Sequence, residues 1–170
     1  MNRFAKAIIF VVLPALIETA CGGKAPPPPA PVVPPSITIA APVEAKIKAT
    51  MTLVAGKDTN PDSSGRPSPV VVRIYQLKTD AAFKKAEFLA LLDDDQKVLG
   101  VELISRDEFV LDPAEQRSLE VVVGNDTRFV GAFANFRDYR NAEWRVLVPA
   151  PRTNFSVSVE RARIVVSPME

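Results

Sequence analysis

Apolar and polar residues alternate with period two over long stretches of this chain, and that alternation predicts a β protein. From Ala45 onward, Ile47, Ala49, Met51 and Leu53 fall on one side of an extended backbone, with Lys46, Lys48, Thr50 and Thr52 on the other. Successive strand side chains point to opposite faces, so this segment reads as a half-buried strand. The pattern returns at Leu119, Val121 and Val123 against Ser118 and Glu120, and at Phe155, Val157 and Val159 against Ser156 and Ser158. Pro69 to Leu77 is nearly continuous in apolar residues, as a central strand covered on both faces requires. Phe109–Leu111, Phe129–Phe136, Arg145–Val148 and Arg161–Val166 are further strand candidates. Turn formers such as Asp112-Pro113, Gly124-Asn125-Asp126 and Pro149-Ala150-Pro151 separate them. Seven or eight short strands at this spacing predict a mainly β fold, a β-sandwich over residues 45–170.

One segment breaks the alternation. Asp80 to Leu92 is built mostly of strong helix formers, with Thr79 or Asp80 available as N-cap, and predicts one added helix around residues 80–92. Phe83, Ala86 and Ala90 form one stripe, and Phe88, Leu91 and Leu92 another. So apolar a helix must pack onto the sandwich, and a sheet edge or an open end is the expected place.

The first 44 residues show neither period. Arg3 and Lys6 precede an apolar run of eleven residues from Ala7 to Ile17, too short to span a bilayer but suited to a secretory signal. Cys21 follows directly, ahead of Gly22 and Gly23. A cysteine so placed predicts a lipoprotein signal peptide over residues 1–20 and acylation of Cys21. The alternative is an ordinary signal cut after Thr19 and Ala20, with an incidental cysteine. Glu18 stands three places before the cysteine, where the bacterial lipoprotein pattern has an aliphatic residue. Residues 21–44 then read as the acylated cysteine and a tether. Eight of the chain's 16 prolines lie between Pro26 and Pro42, which favours an extended polyproline-like spacer. At about 3.1 Å per residue, residues 22–44 reach roughly 70 Å.

Charge and composition narrow the function. The chain has 21 basic and 20 acidic residues; losing Arg3, Lys6 and Glu18 with residues 1–20 leaves 19 of each. A neutral chain offers no electrostatic footprint for nucleic acid or anionic lipid, so membrane attachment falls to acyl chains. With one cysteine there is no intramolecular disulfide. The absence of histidine removes the Ser-His-Asp and Cys-His catalytic arrangements and most zinc sites. The chain reads as a non-enzyme, with no catalytic residues, no metal, no cofactor, no nucleic-acid partner and no small-molecule substrate.

The candidate binding feature is the connection Gly56–Pro69, about fourteen residues where a hairpin needs two to five. Asp58, Asn60, Pro61, Asp62, Ser63, Ser64, Gly65, Arg66 and Pro67 are its candidate partner-binding residues, and prolines lower the entropy lost when such a loop binds. The bland alternative is a tolerated insertion. Asp93-Asp94-Asp95 lacks the alternating ligands and mid-loop Gly of a calcium site and reads as a solvated helix end. Asp107 and Glu108 are adjacent on a strand and would face opposite ways. In Phe136–Arg145, a second charged loop, Trp144 is expected to begin a strand and fill the core while the charges solvate the turn.

Several blocks occur in an order that resembles the outer-membrane lipoprotein of bacterial type VI secretion systems, the TssJ family. They are Asn60-Pro61-Asp62, Gly65-Arg66, and Ser68-Pro69-Val70-Val71-Val72-Arg73-Ile74-Tyr75-Gln76-Leu77. Leu99-Gly100, Ser105-Arg106-Asp107-Glu108, Phe136-Arg137-Asp138 and Trp144-Arg145 follow. The resemblance implies a transthyretin-like β-sandwich with an added helix, anchored by lipid to the periplasmic face of the outer membrane. It implies no enzymatic activity. Its implied partner is the periplasmic C-terminal region of the large inner-membrane component TssM, contacted through the loop between the first two strands. The rival expectation is a periplasmic small-molecule or glycan-binding sandwich lipoprotein, which needs a deep cavity near Tyr75, Phe133 or Trp144. A transthyretin-related hydrolase is disfavoured by the missing histidine.

Overall fold

Two four-stranded sheets pack face to face in the computed structural model, which describes residues 47–151 and 153–169. Residues 1–20 and the tether, with Cys21, lie outside the described residues. The strands are β1 (Ile47–Ala55), β2 (Val70–Leu77), β3 (Leu103–Leu111), β4 (Gln116–Val123), β5 (Phe129–Ala134), β6 (Arg145–Pro149), β7 (Phe155–Val159) and β8 (Ile164–Pro168). One sheet runs β4-β1-β7-β8, and the other β3-β2-β5-β6. All neighbours are antiparallel except β1 and β7, which pair in parallel from Met51 opposite Phe155 to Ala55 opposite Val159.

The period-two residues fill the space between the sheets. Ala49, Met51 and Leu53 on β1, Phe155, Val157 and Val159 on β7, and Val70, Val72 and Ile74 on β2 share one buried cluster. Fully burying such a side chain contributes about 1.5–3 kcal/mol, so a one-residue register slip would expose the whole set and is strongly disfavoured. Thr52 is the polar exception on β1; its Oγ1 lies 3.0 Å from the Ser118 hydroxyl of the neighbouring strand.

The helical segment departs from expectation in form and in place. It is two helices, α1 (Ala81–Lys85) and α2 (Phe88–Leu99), joined through extended backbone at Ala86 and Glu87. Phe83 and Phe88 are five positions apart and would point in different directions from one continuous helix. The break lets both rings reach the sheet, which explains why the sequence shows two apolar stripes. Arg145 completes the break by donating from Nη1 to the carbonyls of Phe83 (2.9 Å) and Ala86 (2.6 Å), groups a helix end leaves unpaired.

The helices cover a sheet face, where an edge or open end was expected. Phe83, Ala86, Phe88, Leu91 and Leu99 form a second buried cluster with Tyr75, Leu77 and Phe133 from the outer side of β2 and β5. This is why β2 is covered on both faces. Gly131 makes the approach possible: a Cβ there would stand 3.0 Å from the Phe83 ring.

Asp93-Asp94-Asp95 is also no simple solvated terminus. Asp94 has non-helical dihedrals inside α2, and its Oδ1 accepts from the Lys97 amide at 3.1 Å, acting as N-cap for the last turn. Asp95 turns inward and is buried at 3% exposure. Its carboxylate receives the Tyr75 hydroxyl (2.9 Å), Arg73 Nη1 (3.2 Å) and Arg106 Nη1 (3.1 Å). Burial, reinforced by the Asp95 carboxylate, holds the Tyr75 hydroxyl well above its ordinary value. Arg73 in turn binds Glu108 at 2.7 Å and the Leu91 and Leu92 carbonyls, so one charge network fastens α2 to the sheet. Among the described residues no helix is long and apolar enough to cross a membrane.

Candidate protein-docking site

Parallel pairing sends the ends of β1 and β7 to the same end of the sandwich, so the β1–β2 loop and the β7–β8 turn meet there. The loop's base is built from backbone bonds across that junction. Gly56 donates to the Val159 carbonyl (2.8 Å), and Ala114 from the β3–β4 turn donates to the Gly56 carbonyl (3.1 Å). Thr59 is fully buried and donates from Oγ1 to the same Val159 carbonyl at 2.9 Å.

Asn60 ties three further segments together. Its amide donates to the Arg161 carbonyl (3.0 Å), and its Nδ2 to the Pro69 carbonyl (2.7 Å). Its Oδ1 accepts from the Arg137 amide (2.8 Å). Asn60 has a φ of 49°, in the left-handed region that asparagine tolerates better than most residues. At 4% exposure its side chain is consumed inside the loop base and presents almost nothing to solvent.

The tip, Pro61–Pro67, is a closed turn organised by one carboxylate. Asp62 Oδ1 accepts from the amides of Ser64 (2.8 Å) and Arg66 (3.0 Å), while Oδ2 takes Arg66 Nε (2.9 Å) and Nη2 (2.8 Å). Backbone bonds from Gly65 to the Asp62 carbonyl and from Asp62 to the Arg66 carbonyl, both 2.9 Å, close the ring. Gly65 supplies the φ of 78° at the turn. The Arg66 amide, chiefly, holds the Asp62 carboxyl below its ordinary value. Ser63, Ser64, Gly65, Arg66 and Pro67 are exposed, as is Asp58 at the loop's start, while Pro61 and Asp62 are half-buried. A tip already ordered by its own bonds loses less entropy on docking than a floppy insertion would.

Beside the tip lies an open groove of about 630 Å³, lined by loop residues Asn60 to Ser63, by Phe136–Asp138 and by Arg161–Ala162. The two charged loops picked out from sequence therefore form one surface. Its second wall is anchored from behind: Tyr139 stacks on Phe88 at 4.1 Å, and Trp144 meets Phe88 and Phe133 edge-on at 5.2 and 5.7 Å. Trp144 packs against the core immediately before β6, as expected. The signal for this groove was weak in sequence, because the Asn60–Arg137 and Asn60–Arg161 bonds join positions far apart in the chain.

The deep aromatic cavity required by a small-molecule binder is filled. Tyr75 and Phe133 are fully buried, and Phe83, Phe88 and Trp144 occupy the space beside them.

A family model, T6SS-SciN, described as type VI secretion lipoprotein (VasD, EvfM, TssJ), matches residues 47–167. The chain belongs to this type VI secretion lipoprotein family. The crystal structure of the type VI secretion lipoprotein TssJ1 from Pseudomonas aeruginosa is 32% identical, with a TM-score of 0.70 over 74% of this chain and 98% of that one. Lip of Serratia marcescens, a membrane-bound component of the type VI secretion system, shares the fold. It has 22% identity and a TM-score of 0.67, over 74% of this chain and 99% of that one. A chain in the structure described as the TssM C-terminal domain from EAEC matches with 25% identity and a TM-score of 0.61. That match covers 74% of this chain and 100% of that one. Comparison with curated protein sequences gives no match.

Proposed function

We propose that this protein is a non-catalytic outer-membrane lipoprotein of a type VI secretion membrane complex. Acyl chains on Cys21 hold it at the periplasmic face, residues 22–44 act as spacer, and the sandwich presents the Asp58–Pro67 loop to the periplasmic C-terminal region of TssM. The observation that carries this reading is the loop itself: an exposed tip locked by Asp62, standing on a base bonded to three other segments. Family membership and likeness to chains of type VI membrane assemblies support the partner.

The anchor fits the charge balance. A net-neutral domain has no electrostatic hold on lipid; a single acyl chain binds a membrane only marginally, whereas two or more hold firmly. Anchoring also raises the local concentration of the loop, so a modest interface suffices. Cys21→Ser is expected to release the protein into the soluble periplasm, and globomycin to block processing of the native chain. Membrane fractionation with intact-mass analysis checks both. A Cys21→Ser protein retained in the outer membrane would overturn the anchor.

A further inference from the structure

We propose that the groove beside the loop receives an acidic stretch of the protein partner, whose carboxylates pair with Arg137 and Arg161. The inference rests on the docking reading above and assigns the chemistry of what docks.

The charged groups of the groove differ in how much of their pairing capacity is already used. Four charged residues line the groove: Asp62, Asp138, Arg137 and Arg161. One carboxylate is occupied by a guanidinium, the other only by a neutral amide. Asp62 takes two amides and the Arg66 guanidinium, and both oxygens of Asp138 accept from Asn141 Nδ2 at 3.0 Å. The two guanidinia are weakly paired. Among the described residues Arg137 has no ion pair within 4 Å, and the nearest carboxylate to Arg161 is Asp58 at 3.8 Å, between two side chains about 60% exposed. An exposed pair at that separation contributes little. With Asp62 neutralised by Arg66, the groove holds two weakly paired guanidinia against one exposed carboxylate, Asp138, so its balance favours an acidic segment, which would find two planar forks suited to carboxylates.

Both forks stand on fixed backbone. The Arg137 amide and the Arg161 carbonyl are bonded to Asn60, so a single buried residue sets the spacing of the two arginines relative to the tip. The groove's volume falls within the roughly 300–1,000 Å³ of ordinary binding clefts.

The test uses the full-length protein, purified from membranes, and the purified periplasmic C-terminal region of TssM from the same bacterium. Affinity is measured between about 50 and 300 mM NaCl. The Arg137→Ala, Arg161→Ala double variant is expected to bind at least about tenfold more weakly at low salt and to lose most of the salt dependence. Double replacement by Glu should weaken it further. A companion in which only the tip, Asp62–Arg66, is shortened to a tight turn, leaving the buried base residues Thr59 and Asn60 in place, should lose binding. Because both arginine side chains are exposed and only their backbones carry the fixed bonds, the double variant should melt with the native protein. Native affinity and salt slope in the arginine variants, with binding lost in the shortened loop, would overturn the acidic occupant and leave the docking reading intact. Native binding by all of the variants would overturn both.

Discussion

Asp95→Ala is the most demanding perturbation of this fold, because it removes the acceptor at the centre of the network joining α2 to the β3-β2-β5-β6 sheet. The Arg73 side chain is 13% exposed, the Arg106 side chain 36%, and Tyr75 not at all. Removing one member of a buried ion pair costs about 3–5 kcal/mol, because the remaining charge stays desolvated. Here the lower end applies, since Arg73 keeps Glu108 at 2.7 Å and Arg106 regains water. The expected loss is about 3 kcal/mol, or roughly 12 °C in Tm for a domain of this size. Asp95→Asn keeps an acceptor for the Tyr75 hydroxyl and should cost about half as much. Thermal and urea denaturation followed by circular dichroism measures both. An Asp95→Ala protein melting within about 2 °C of native, with an unchanged urea m-value, would show that the network does not fasten α2 to the sheet.

Three further outcomes follow from the geometry. Asn60→Ala forfeits two side-chain bonds and puts alanine at a φ of 49°, so it should lose about 2–4 kcal/mol in a denaturation experiment and weaken TssM binding although Asn60 is buried. Gly131→Ala brings a methyl group to 3.0–3.2 Å from the Phe83 ring, which is locked at full burial; overpacking of about 1–3 kcal/mol is expected, read as a lowered Tm. Asp62 should titrate below 3.8 by carboxyl NMR. Its folded value is depressed, so its support for the tip is present above the unfolded value and disappears as pH falls through the folded one.

The strands were legible because burial on one face imposes a local period that survives in the sequence. β1 and β7 carry it cleanly, and β2 shows the unbroken apolar run of a strand covered twice. The helix was legible in propensity but not in shape. Nothing between Lys84 and Phe88 disfavours helix locally; the break answers to the sheet below and to Arg145, some sixty residues away. Asp95 was misread for the same reason. Its neighbours in sequence are exposed acids, whereas its partners Arg73, Tyr75 and Arg106 come from strands. The candidate docking loop stood out by length and composition, but its division into a buried base and an exposed tip did not. That division depends on contacts of Asn60 with Arg137 and Arg161, which only the folded chain brings together.

The second cluster extends to the site. Phe88, in the helix that Asp95 fastens, is the ring on which Tyr139 stacks, and Tyr139 belongs to the loop forming the groove's second wall. Loosening the helical cap should therefore reach the docking surface through contiguous packing.

In the proposed docking mode the loop end of the sandwich, and no other described face, meets TssM. Photo-crosslinking in living cells tests it directly, with a benzophenone side chain at Ser64 on the tip or at Glu120 on the exposed outer face of β4. The account predicts a TssM adduct from Ser64 and none from Glu120; an adduct from Glu120 with none from Ser64 would contradict it.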